Sequence, residues 1–216
     1  MNVIELFSSI DGEGKRQGFL TTFLRLHDCN IRCSYCDTLY SYGPESTFES
    51  MSVQAVADVI EQLENHRITV TGGEPLLQEP AIIELIDELT RRNARYDFNI
   101  ETNGTIIPSF HRDNVWFTYD YKTPSSLAED AMNLDIFKVA TPADIMKFVV
   151  GSMQDLDRMN EILKTYPTDA QIFVSPVWGN IEGATIVDYM KAHDWQNVRF
   201  QLQIHKFIWD PDAKGV

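Results

Sequence analysis

Thr21-Thr22-Phe23-Leu24-Arg25-Leu26-His27, followed at once by Asp28-Cys29-Asn30-Ile31-Arg32-Cys33-Ser34-Tyr35-Cys36, is the most informative stretch of the chain. The first seven residues read as a strand. Phe23, Arg25 and His27 share one face and Leu24 and Leu26 the other, because strand side chains alternate. The cysteines therefore begin at a strand's carboxyl end, where βα proteins place their chemistry.

Working outward, apolar runs keep alternating with amphipathic ones, the signature of βα repetition. A helix is predicted over 52–64, with Ser52 as its cap and Val53, Val56, Val59, Ile60 and Leu63 on one face. A strand over 68–71 follows, then a helix opening near Pro80, a residue suited to a first helical turn. Further strands are predicted at 98–101, 116–121, 146–150 and 172–174, with helices over 154–164 and 182–192. A last strand is predicted over 198–205, with Gln201, Gln203 and His205 on one face. No linker or composition break appears, so 1–216 reads as one α/β domain with parallel strands, a partial βα barrel.

Composition narrows the function. The chain of 216 residues is 44 % hydrophobic and 23 % charged, an ordinary globular balance. Its net charge of −14 opposes nonspecific nucleic-acid binding. No run reaches the roughly 20 apolar residues that span a bilayer, and no signal pattern opens the chain. The expected location is the cytoplasm, with no membrane and no nucleic-acid partner. Three cysteines within eight residues make a poor disulfide framework but suit a metal.

Three soft thiolates on one loop fit iron–sulfur or zinc. A structural zinc site is usually closed by four ligands, and no second cysteine pair exists, although His27, Asp37 or His66 could supply a fourth. A cubane on Cys29, Cys33 and Cys36 would leave one iron open to a substrate. Plain structural thiols are the third reading.

The Cys-x-x-x-Cys-x-x-Cys spacing with Tyr35 before the last cysteine resembles the radical S-adenosylmethionine (SAM) superfamily signature. Thr71-Gly72-Gly73-Glu74-Pro75 resembles that superfamily's Gly-Gly-Glu-Pro motif, in which glycines permit close backbone approach and a carboxylate can pair with an amino group. More specifically, Ser9-Ile10-Asp11-Gly12-Glu13-Gly14, Phe23-Leu24-Arg25-Leu26, Cys36-Asp37-Thr38, Glu101-Thr102-Asn103-Gly104-Thr105 and Gln203-Ile204-His205-Lys206-Phe207-Ile208-Trp209 resemble the 7-carboxy-7-deazaguanine synthase family. They do so in the same order, from about residue 6 to the end.

That resemblance implies a compact, incomplete barrel and a homodimer. It implies conversion of 6-carboxytetrahydropterin to 7-carboxy-7-deazaguanine with loss of ammonia, on the route to queuosine and other 7-deazapurines. A [4Fe–4S] cluster, SAM and magnesium are the implied cofactors, with a flavodoxin-like protein as electron donor. By the same resemblance, Tyr35, Gly72, Gly73, Glu74, Thr102, Asn103 and Lys122 would contact SAM. Glu13 would bind the pterin's guanidine-like edge, Arg25 its carboxylate, and His205 would make a further polar contact or move a proton. Thr38 would ligate magnesium, and the Val216 carboxylate would approach the site. Two departures stand out: Asp11 replaces a common Gln, and Asp120-Tyr121-Lys122 replaces a common Ser-Pro-Lys. A glycyl-radical activating enzyme and a zinc-binding module without catalysis are the competing readings.

Overall fold

The computed structural model describes residues 1–211 and 213–216. Among these, nine strands form one sheet: β1 (Asn2–Ile10), β2 (Leu20–Leu26), β3 (Glu49–Ser50), β4 (Arg67–Gly72), β5 (Asp97–Thr102), β6 (Val115–Tyr121), β7 (Ile145–Val150), β8 (Gln171–Pro176) and β9 (Val198–Phe200). The helices are α1 (Val53–Gln62), α2 (Glu79–Arg92), α3 (Ile136–Val139), α4 (Met153–Thr165), α5 (Gly183–Ala192) and α6 (His205–Ile208). The spatial order is β3-β1-β2-β4-β5-β6-β7-β8-β9. From β2 to β9 every pairing is parallel, while β1 runs antiparallel to β2 and β3. The two end strands β3 and β9 do not pair, so the barrel is incomplete among the described residues. No helix of the described residues is long and apolar enough to cross a membrane.

Local chemistry accounts for the elements. Ser52 caps α1, its hydroxyl accepting from the Ala55 amide at 3.1 Å, and Ser152 does the same for α4 through Asp155. Pro80 sits in the first turn of α2, where its missing N–H leaves no gap. Along the strands the two faces separate by period 2. Leu24, Leu26, Ile68, Val70, Phe98, Ile100, Phe117, Tyr119, Met146 and Phe148 are buried in the core cluster with the helices. The alternate residues Arg25, Thr71, Glu101, Asp120 and Lys147 line an interior cavity instead.

The structure departs from the sequence expectations chiefly at its first and last strands. β1 has no counterpart among the predicted strands, nor does its antiparallel pairing; it is held by its ladder to β2 and by Phe7 stacked on Phe23 at 5.2 Å. The last strand stops at Phe200 rather than running to residue 205. Beyond Gln201 the backbone turns from β8 to the segment between β1 and β2. The Ile204 amide donates to Gly12 O at 3.0 Å, and Gln17 Nε2 donates to Leu202 O at 2.6 Å. His205 consequently opens a one-turn helix, and strand alternation does not place it.

That same segment closes the lower end of the barrel. Arg16 donates to Asp11, Asp97, Ile68 O and Thr69, reaching β4 and β5. Lys15 donates to Ala143 O ahead of β7, and Gln201 Oε1 accepts from the Gly14 amide at 2.8 Å. The crossing carries Glu13 into the interior.

Candidate active site

The cavity opens at the carboxyl ends of the parallel strands and has a volume of about 280 Å³. Its wall takes residues from the cysteine loop, from the ends of β2, β4, β5, β6 and β7, and from the C-terminal segment up to Val216. Cys29, Cys33 and Cys36 are free, half-buried and all on this wall. Burial pushes the Cys33 thiol up to about 11, against Lys122, and raises Cys29 as well. Unligated, both thiols keep their protons in such a site; a metal, which binds thiolate, would displace them.

The loop is built to hold that shape. A Cβ on Gly73 would lie 2.0 Å from Asp28 O and 2.7 Å from the Cys29 Cβ, and one on Gly72 would lie 2.4 Å from Leu26 O. Both glycines line the cavity, and both are needed so that β4 can pass against the root of the cysteine loop. Asn103 Nδ2 donates to Asn30 and stands 3.7 Å from Cys29 Sγ. Tyr35 lines the wall and donates to Val149 O at 3.3 Å; burial raises its phenol.

Glu74 is not on the wall. It is fully buried, with Oε1 accepting from the Leu76 amide and the Thr102 hydroxyl and Oε2 from the Asn103 amide at 2.7 Å. Burial raises its pKa, and these three donors pull against that rise. Three hydrogen bonds tie this carboxylate within the protein, and its expected pairing with a ligand's amino group stays a proposal. Thr102 and Asn103, by contrast, do face the cavity.

On the opposite side the charged residues gather. Arg25 gives its Nε to Glu5 Oε1 at 2.6 Å, an oxygen that also accepts from the Tyr40 hydroxyl. Its Nη groups have no hydrogen-bond partner among the described residues. Lys122 pairs with Asp120 at 2.9 Å. Thr38 lines the cavity and donates to Asp37, whose other oxygen meets Lys206 at 3.3 Å. Burial opposes ionisation of Asp37, but Lys206, Thr38 and Arg25 together outweigh it and the pKa is lowered.

His205 packs on Gly12 so closely that a Cβ there would fall 1.9 Å from its Nδ1. Burial lowers the imidazole below its ordinary value while Glu13 acts the other way, so the ring is neutral at neutral pH. Glu13 Oε1 accepts from Lys147 Nζ at 2.5 Å; its Oε2 and Asp120 Oδ1 are buried with no partner among the described residues.

Lys147, Glu101 and Asp120 of this wall have no role in the sequence reading. Lys147 carries a signal, being the one charge in the apolar run 145–150. Glu101 is pushed up to about 7 by burial, with Lys147 opposing and Glu13 reinforcing. Asp11 lines the floor, and its carboxylate is taken up by Arg16, Thr21 and Thr69. That explains how an acid is accommodated where an amide was expected.

Comparison with known proteins agrees with this architecture. The chain matches the Radical SAM superfamily over residues 25–147. It is 38 % identical over 219 residues to a 7-carboxy-7-deazaguanine synthase of Clostridium acetobutylicum, covering 99 % of this chain and 98 % of that one. A 7-carboxy-7-deazaguanine synthase of Methanospirillum hungatei is 36 % identical, covering 98 % and 86 %. In three dimensions the chain is similar to the crystal structure of QueE from Escherichia coli, with a TM-score of 0.70 at 22 % identity over 93 % of this chain and 92 % of that one.

Proposed function

The chain belongs to the 7-carboxy-7-deazaguanine synthase family of radical SAM enzymes, and from that premise we propose that it converts 6-carboxytetrahydropterin to 7-carboxy-7-deazaguanine with loss of ammonia. The observation that carries the reading is convergence. Three thiols without a fourth, an arginine, a glutamate and a histidine all line one cavity of about 280 Å³.

The donor set fits a [4Fe–4S] cluster with one open iron: soft thiolates from a single loop, which Gly73 lets seat against β4. Cys29, Cys33 and Cys36 would hold it, and with SAM it supplies a 5′-deoxyadenosyl radical on one-electron reduction. The protein's own part is binding, orientation and exclusion of water. Tyr35, Gly72, Gly73, Thr102, Asn103 and Lys122 surround the space next to the cysteines and would hold SAM. Glu74 serves that group from behind by fixing Thr102 and Asn103.

Glu13, through its unpartnered Oε2, would accept from the pterin's N–H edge. Arg25, with both Nη groups open, would meet the pterin carboxylate as a fork. Neutral His205 can accept or pass a proton where ammonia departs. The Thr38 hydroxyl would give magnesium one oxygen ligand, with substrate oxygens and water completing its shell. Trp178, His205, Lys206, Lys214 and Val216 line the cavity from the C-terminal half, which suits a small substrate better than an inserted protein loop. A flavodoxin-like electron donor, a homodimer and a cytoplasmic location belong to the same reading.

The test is anaerobic reconstitution, then incubation with dithionite, SAM and 6-carboxytetrahydropterin. The expected product has the mass and absorbance of the deazaguanine, from brown protein with about four irons per chain. Cys33→Ala is expected to abolish cluster binding and SAM cleavage. Cleavage of SAM with the pterin untouched would leave the superfamily intact and overturn the substrate.

A further inference from the structure

Lys147 belongs to a strand whose six residues are all buried, and its side chain is 8 % exposed. A lysine is rarely placed so deep without partners. Its ammonium donates to Glu13 Oε1 and lies 3.7 Å from Asp120 Oδ2. Every charged group around it comes from a different element. Glu13 arrives from the β1–β2 crossing, Asp120 from β6, Glu101 from β5 and His205 from α6, with Lys122 beyond Asp120. Arg25 and Asp11 act on Glu101 from the far side. With carboxylates gathered about it, Lys147 is committed to the protein. Glu13, by contrast, lines the cavity and keeps Oε2 buried and unpartnered among the described residues.

We propose that Lys147 is a positioning residue that clamps one oxygen of Glu13, so that the other oxygen selects a ring edge bearing N–H donors. The inference rests on the pterin reading and deepens it. A carboxylate oxygen held as an acceptor favours a 2-amino ring edge and disfavours a 2-oxo edge, whose carbonyl would face it with no proton to give. Lys147 also opposes the burial that raises Glu101.

The experiment measures binding of 6-carboxypterin and 6-carboxylumazine to reconstituted protein from pH 6 to pH 8. The proteins are wild type, Lys147→Met, Lys147→Arg, Glu13→Gln and the Glu13→Gln/Lys147→Met double variant. Lys147→Met is expected to weaken 6-carboxypterin about tenfold or more at neutral pH, the scale of a charged hydrogen bond. The preference over the 2-oxo compound should shrink with it. Lys147→Arg should restore most of both. In the Glu13→Gln background, Lys147→Met should add nothing, since its effect passes through Glu13.

Effects that multiply in the double variant, or an unchanged preference between the two compounds in Lys147→Met, would overturn the inference. If Lys147→Met alone does not accumulate as folded protein, the double variant measured against Glu13→Gln applies the same test. A wild-type protein that ignores 6-carboxypterin would overturn the pterin reading and this inference together. Wild-type binding with unmoved variants overturns the inference alone.

Discussion

Glu74 shows how a residue's type and its use can separate. Its carboxylate accepts three hydrogen bonds from within the protein, from Leu76, Thr102 and Asn103, and does not line the cavity. The motif suggests a contact with SAM; the packing makes Glu74 the post to which the end of β5 is tied. Glu74→Gln separates the two roles. The amide cannot accept at both ends, so one buried N–H loses its acceptor and stability falls by roughly 2 kcal/mol. Urea unfolding of the unreconstituted protein reads this directly. Unchanged stability with lost SAM affinity would restore the ligand role. Gly73 is legible as a site of close approach, but what approaches is Asp28 O and Cys29. Lys147 is visible as a charge in an apolar run, yet its partner lies 134 residues away, and only the register of β7 against β6 turns it inward.

Among the elements, the crossing between β1 and β2 matters most for the site. It is legible as a motif around Glu13 and not as a floor. Arg16 and Asp11 form a pair with side chains 7 % and 4 % exposed, and Arg16 makes four hydrogen bonds in all. Removing one member of a buried ion pair strands the other charge. Arg16→Met is therefore expected to cost about 3–5 kcal/mol, and Asp11→Asn in the same background to recover part of it. Thermal unfolding of the single and double variants checks both. Equal losses in the two would mean the pair is not the unit that holds the floor. The end of the chain makes a similar point. Alternation over 198–205 promises a strand, but Gly12 and Gln17 offer the 202–204 backbone better partners than a longer β9 would, and the chain leaves the sheet.

At the scale of the whole molecule, parallel strands deliver Arg25, Glu101, Asp120 and Lys147 to one interior, and their charges must be read together. Burial holds Glu101 at about 7, well above the usual carboxylate range. The folded protein then binds this proton more tightly than the unfolded chain, so the contribution to stability is lost as pH rises from about 4.5 to about 7. Glu101→Gln has no such proton. Its stability relative to wild type should climb across that window and level off above it, as melting temperatures at each pH will show. A constant difference between the two proteins would mean that Glu101 ionises as freely folded as unfolded.

The amino-acid sequence by itself determined the chemistry available and the order of its elements. Three thiols within eight residues at a strand end, a Gly-Gly turn one βα unit on, and period-2 and helical patterns are local signals, set by covalent spacing and side-chain type. Which residues face one another was decided by the tertiary structure alone. Lys147 with Glu13, Arg16 with β4 and β5, and His205 on Gly12 are contacts between distant segments, and they depend on strand register and on a crossing that no local pattern announces.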